Sequence, residues 1–191
     1  MEPTQPRRQF KNTDKEKSSV YSRCLITKNV AIPIQDVAKN IDKIIKTNIV
    51  YNFEGKCVVE GFVKPNSVII LTYSSGIVKG INVIFEVVFE CQVCCPVEGM
   101  LVDCIAKNIT KAGIRGESAS ETPSPIVVFV ARDHQYSNAY FSAIQENDVF
   151  TARVIGQRFE LNDKYVSIIA EAIEPRKKRE NVATVNPKIQ F

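Results

Sequence analysis

One histidine, His134, is all that this 191-residue chain contains, and that scarcity narrows its chemistry before any motif is sought. Histidine-based triads need an imidazole base held by an orienting partner, and two-histidine metal sites need several neutral imidazoles. A single ring supports neither. Absent too are a phosphate-cradling P-loop, the spaced glycines of a dinucleotide fold and the nucleophile elbow of a hydrolase. Carboxylates are plentiful but unclustered. No catalytic residue is assigned, no cofactor is expected, and any reaction is expected to belong to an assembly rather than to this chain.

Long apolar runs are also missing. No stretch approaches the length needed to cross a bilayer, and Met1 to Lys17 is polar and basic without the apolar centre of a secretory leader. An intracellular, soluble protein with no membrane partner is expected. The cysteines, Cys24, Cys57, Cys91, Cys94, Cys95 and Cys104, lie mostly inside apolar strand-like runs, as small buried thiols do in a reducing compartment. Cys91-Gln92-Val93-Cys94-Cys95 has the look of a metal knuckle. A strand, however, turns Cys91 and Cys94 to opposite faces, and no second Cys or His pair completes four ligands. No metal site is expected there, and packing is the expected role.

Charge is unevenly distributed. The formal net charge is +4, yet Gly99 to Glu174 carries seven Lys or Arg against ten Asp or Glu, while Pro175 to Phe191 carries five against one. Nucleic-acid binding must therefore rest on a local patch or on the tail, not on a basic domain.

Residues 1–19 show no apolar period and read as a mobile basic tail. Val20, Leu25, Ile26, Val30 and Ile32 suggest a strand that Pro33 ends. Beyond it Ile34, Val37, Ala38, Ile41, Ile44 and Ile45 recur at spacings of three and four, which predicts an amphipathic helix. Lys56 to Phe62, Val68 to Tyr73 and Asn82 to Val93 are β-rich, separated by Lys64-Pro65-Asn66 and by Ser74-Ser75-Gly76 with Gly80. Residues 20–97 thus read as an α+β domain.

From Gly99 the pattern changes. An alternating strand runs from Gly99 to Gly113, the first glycine allowing a sharp bend and the second a turn back into Gly113 to Ser118. Ile126 to Ala131, Phe150 to Phe159 and Tyr165 to Ala172 complete five strands, the last two joined by Glu160-Leu161-Asn162-Asp163-Lys164. The expectation for residues 98–174 is an all-β OB-fold barrel of five strands, an architecture that binds single strands or partner proteins. Residues 175–191 read as a second basic tail, marked by Arg176-Lys177-Lys178-Arg179; a localisation signal, a phosphate-contacting tail and a solubilising end all fit it.

Candidate RNA-binding residues follow from the barrel. Arg132-Asp133-His134 comes after strand three, where such barrels expose residues to a bound strand, and Lys107, Lys111 and Arg115 are placed to line the same side. Phe129 offers a stacking face, or else it belongs to the core and the charges are ordinary solvated surface. The two readings weigh equally at this point.

The order strand, helix beginning Pro33-Ile34, Asn52-Phe53-Glu54-Gly55-Lys56-Cys57, short sheet, then Cys94-Cys95-Pro96-Val97-Glu98-Gly99 into a barrel resembles the stalk subunit of DNA-directed RNA polymerases. That family comprises the seventh subunit of eukaryotic RNA polymerase II and its archaeal counterpart. The resemblance covers roughly Val20 to Ile173, and the cysteine-rich junction and tails are similar to those of a large nucleocytoplasmic DNA virus polymerase. It implies a tip domain docked on the polymerase core subunits, a barrel beside the nascent RNA and a fourth-subunit-like stalk partner. It also implies transcription in a virion or cytoplasmic viral factory, or in the nucleus if the chain is not viral. Two departures stand out. Arg115 occupies the position two after the second glycine, where many such barrels place a stacking aromatic, and Val58-Val59-Glu60-Gly61-Phe62 replaces the family's usual glycine-aromatic run. A free single-stranded-RNA-binding factor working through the same barrel is the alternative, and a zinc-dependent enzyme a third.

Overall fold

The computed structural model describes residues 19–37, 40–135 and 138–174. Both tail expectations, Ser19 apart, and that for Ala38 lie outside these residues. The described chain is mostly β. In its first half come β1 (Ser22–Pro33), α1 (Ile41–Phe53), β2 (Cys57–Val58), β3 (Gly61–Val63), β4 (Ile69–Tyr73), β5 (Ile77–Lys79) and β6 (Asn82–Cys94). Its second half holds β7 (Leu101–Ile109), β8 (Gly113–Ser118), β9 (Ile126–Ala131), α2 (Ala139–Ala143), β10 (Val149–Arg158) and β11 (Val166–Ile173).

β6 is the spine of a six-stranded sheet ordered β1-β6-β3-β2, with β4 and β5 also paired to β6. Period-two alternation puts Val83, Phe85, Val87, Phe89, Cys91 and Val93 on one face, where all are buried. β1 runs antiparallel beside it from Ser22↔Val93 to Pro33↔Asn82 and adds Ile26, Val30 and Ile32 to that face. α1 covers it with Ile45 and Ile49, and Phe53 meets Phe89 at a ring-centroid distance of 5.7 Å.

The helix sits later than its sequence pattern suggests. It starts at Ile41 rather than at Ile34, and Ile34 and Val37 are exposed. The Ile34 N–H is instead bonded to the Ile81 carbonyl in the β5–β6 turn at 3.0 Å, which holds the chain after Pro33 to the sheet. α1 then continues through Ile49, Val50 and Phe53, β-branched and aromatic residues whose low helix propensity is overridden by packing on the sheet. The run Lys56 to Phe62 is likewise two short strands, β2 and β3, joined by a turn at Val59 and Glu60.

In the second half five strands close into a barrel, in the order β10-β11-β9-β8-β7 with β10 returning to β7. β11 and β9 are parallel and the remaining pairs antiparallel, which is the arrangement of an OB-like barrel. Val102, Cys104, Ala106, Ile114, Val128, Val130, Phe150 and Ile168 fill it. Phe141 of α2 and Ile144 pack into the same cluster, and the Asn138 side chain caps that helix by accepting from the Tyr140 and Phe141 N–H groups.

Both glycines bracketing β7 are required. Gly99 has a φ of +83° and open space around it, so its constraint is conformational. Gly113 is constrained by space, since a Cβ there would collide with the Val130 carbonyl oxygen across the β8–β9 ladder. No helix among the described residues is long and apolar enough to cross a membrane.

Candidate nucleic-acid interface

Outward-facing positions on β8 and β9 are set by the same alternation that fills the barrel. Ile114 and Gly116 point in, and Arg115 between them points out. Val128 and Val130 point in, and Phe129 between them is 38% exposed. The reading of Phe129 as a core residue is thereby excluded. Register places Arg115 directly across the ladder from Phe129, with Asn108 beside Arg115 and Ile169 beside Phe129. One row on the barrel exterior therefore carries a guanidinium next to an aromatic ring.

Lys107 stands at a β-bulge in β7, where the pairing slips between Ala106 and Asn108, and its side chain is exposed. It lines a pocket with Arg115 between β7, β8 and the Ala119–Pro125 loop. Among the described residues, neither Lys107, Lys111 nor Arg115 is paired with a carboxylate; the cations that are paired are Arg23, Lys28, Lys64, Arg153 and Arg158.

Arg132 is differently employed. Its Nε donates to the Lys111 carbonyl at 3.0 Å and its Nη2 to the Thr110 carbonyl at 3.2 Å, while the guanidinium lies 5.3 Å from the Phe141 ring centroid. It clasps the β7–β8 turn, which carries Lys111 on its exposed crest. His134 is exposed on the single 3-10 turn that follows β9. The six candidates thus divide into two groups, Lys107, Arg115 and Phe129 on the barrel side and Lys111, Arg132 and His134 around the β7–β8 turn.

In OB-type barrels the ligand face is flanked by the loops after strands one and four. Here the second of these is used within the molecule. The Cys57 N–H donates to the Asp163 carbonyl at 2.7 Å and the Asn162 N–H donates to the Cys57 carbonyl at 2.9 Å, so the β10–β11 turn pairs with β2. The Lys64 ammonium adds a 3.3 Å ion pair to Glu121 and sits 4.6 Å from the Tyr21 ring centroid. The β8–β9 face and the β7–β8 turn remain open.

The thiols do not form a site of their own. Cys91 packs with the sheet and Cys94 with the barrel, as opposite strand faces require. Burial pushes the Cys57 and Cys91 thiols up to about 11, and those of Cys94 and Cys104 up to about 12, so all four are protonated near neutrality. The described residues hold no group of three or more His, Cys, Asp or Glu arranged to grip a metal ion.

Sequence reasoning missed Tyr165, Glu117 and Ser124, which also line the pocket beside Lys107 and Arg115. Glu117 was legible, being two residues from Arg115 and hence on the same face. Tyr165 and Ser124 were not, because loop conformation rather than strand period brings them there.

No protein-family model matches the chain. It is similar to a protein of Acanthamoeba polyphaga mimivirus described as "Putative DNA-directed RNA polymerase subunit L376", with 22% identity over 173 residues that span 82% of this chain and 83% of that protein.

Proposed function

We propose that this chain is a non-catalytic stalk subunit of a viral DNA-directed RNA polymerase, with residues 20–97 as a tip domain docked on the core enzyme and residues 98–174 as a barrel contacting the nascent transcript. The observation that carries the RNA contact is the Arg115–Phe129 pair, an unpaired cation and an exposed ring side by side on the open barrel face. Bases stack on such a ring whatever their sequence, and the guanidinium meets the phosphate beside it. The ring missing from the position of Arg115 is supplied by the neighbouring strand. The similarity to the mimivirus protein, which runs over most of both chains, supports the polymerase setting.

Phosphoryl transfer in a polymerase needs carboxylates gathered on a divalent cation. The role assigned to this chain in such an assembly is binding and positioning. The partners expected are the core subunits, a fourth-subunit-like chain and the transcript.

Affinity purification of the tagged full chain from cells making the whole transcription machinery tests the assignment. Co-purification of the two large polymerase subunits is the expected result. Their absence, together with salt-sensitive RNA binding by the isolated chain, replaces it with a free RNA-binding factor.

A further inference from the structure

The pocket between β7, β8 and the Ala119–Pro125 loop has a volume of about 330 Å³, at the small end of ligand pockets and sufficient for one nucleoside. Its chemistry is asymmetric. Lys107 and Arg115 supply two cations, Tyr165 supplies a ring face that is 42% exposed, and Glu117 and Glu121 supply the carboxylates. Glu121 is held by Lys64 at 3.3 Å. Glu117 is half-buried, and its carboxylate has no hydrogen-bond or ion-pair partner among the described residues.

We propose, resting on the RNA contact argued above, that this pocket receives one base turned out of the bound strand and selects guanine. A carboxylate is acceptor-only. Guanine is the base whose pairing edge presents two adjacent donors, N1–H and the N2 amine, one for each carboxylate oxygen. Uracil sets its single N–H between two carbonyls, and adenine and cytosine set an amine beside a ring nitrogen that repels the carboxylate. Glu117 therefore reads the base, Tyr165 stacks on it, and Lys107 and Arg115 hold its phosphate.

Register links this pocket to the stacking row. Glu117 pairs with Val127, two residues along both strands from Arg115–Phe129, a separation of about 7 Å. Neighbouring bases of an extended strand bridge that distance, so one base lies on Phe129 while the next enters the pocket.

The test uses the full chain and two fluorescent RNA oligonucleotides, one all-uridine and one identical but for a single central guanosine. The guanosine oligonucleotide binds about fivefold or more tighter, the discrimination of one good bidentate base contact. Glu117→Gln brings the two oligonucleotides near parity, and Tyr165→Ala weakens the guanosine strand more than the all-uridine one; thermal melting of each variant checks that it is folded. Equal binding of both strands by the native chain, or a guanosine preference that survives in Glu117→Gln, overturns the pocket assignment and leaves the RNA-facing barrel standing. Failure to bind either strand removes both.

Discussion

At the scale of single residues, the proposed RNA contact gives Arg115 and Phe129 separable contributions. A phosphate contact releases counterions and a stacking contact does not. Arg115→Glu is expected to weaken binding of single-stranded RNA and to reduce the slope of log affinity against log salt by about 0.7 or more, the share of one phosphate contact. Phe129→Ala is expected to cost about 1–3 kcal/mol of affinity while leaving that slope unchanged. Fluorescence anisotropy across a salt series measures both, and a slope that moves with Phe129 alone contradicts the assignment. The buried thiols give a second prediction at this scale. Cys104 titrates at about 12 when folded against an ordinary value of 9.0. Between those values the unfolded chain loses its proton and the folded chain keeps it, so stability is intact below about pH 9 and falls as the pH rises above it. Urea midpoints measured on either side of pH 9 are expected to decline, and the decline is expected to shrink in Cys104→Ala relative to the native chain.

At the scale of elements, the two glycines around β7 differ in what they forbid. Gly99→Ala meets no neighbour and bears only the positive φ, a cost of about 1–2 kcal/mol. Gly113→Ala drives a methyl group into the Val130 carbonyl, so β8 and β9 must separate at the Gly113 end of their ladder. The expected order of urea midpoints is native, then Gly99→Ala, then Gly113→Ala by a wider margin. Reversal of the two variants contradicts it. The barrel strands were legible because each alternates cleanly between core and solvent, and β8 and β9 occupy the residues their sequence pattern marks. The true start of α1 was not legible, because the stripe Ile34, Val37, Ile41 imitates a helix while the helix itself continues into residues with strand-like propensity. β5, of three residues, and α2, of five, are too short to leave a period. Tertiary contacts supply their stability: β5 pairs with β6, and Phe141 anchors α2 in the barrel core. The candidate site was half legible for a similar reason, since strand period finds Arg115, Phe129 and Glu117 but cannot foresee that Arg132 clasps the turn before it.

At the scale of the whole molecule, the first sheet has a buried cluster of its own but also contributes residues to that of the barrel. Val20, Cys57, Phe62 and Cys94 belong to the same buried cluster as Val102, Phe150 and Ile168 of the barrel. β2 pairs through Cys57 with the β10–β11 turn, and Lys64 ties Tyr21 to Glu121. Apolar burial, backbone bonds and a charge pair therefore act across one boundary, which exceeds the polar contacts that usually link independent domains. Cooperativity should extend across it. The described chain is expected to unfold in urea as a single transition, with hydrogen exchange at Val87 and Phe89 of β6 and at Val128 and Val130 of β9 reporting the same opening free energy. Phe62→Ala, which empties part of the shared cluster, is expected to lower that free energy by about 3–5 kcal/mol at both sets of amides together. Loss of protection confined to β6 would mean that the halves open separately. The proposed stalk role, with RNA on one half and attachment on the other, needs the coupled result, because a barrel free to swing would not hold Arg115 and Phe129 at a fixed place on the proposed path of the transcript.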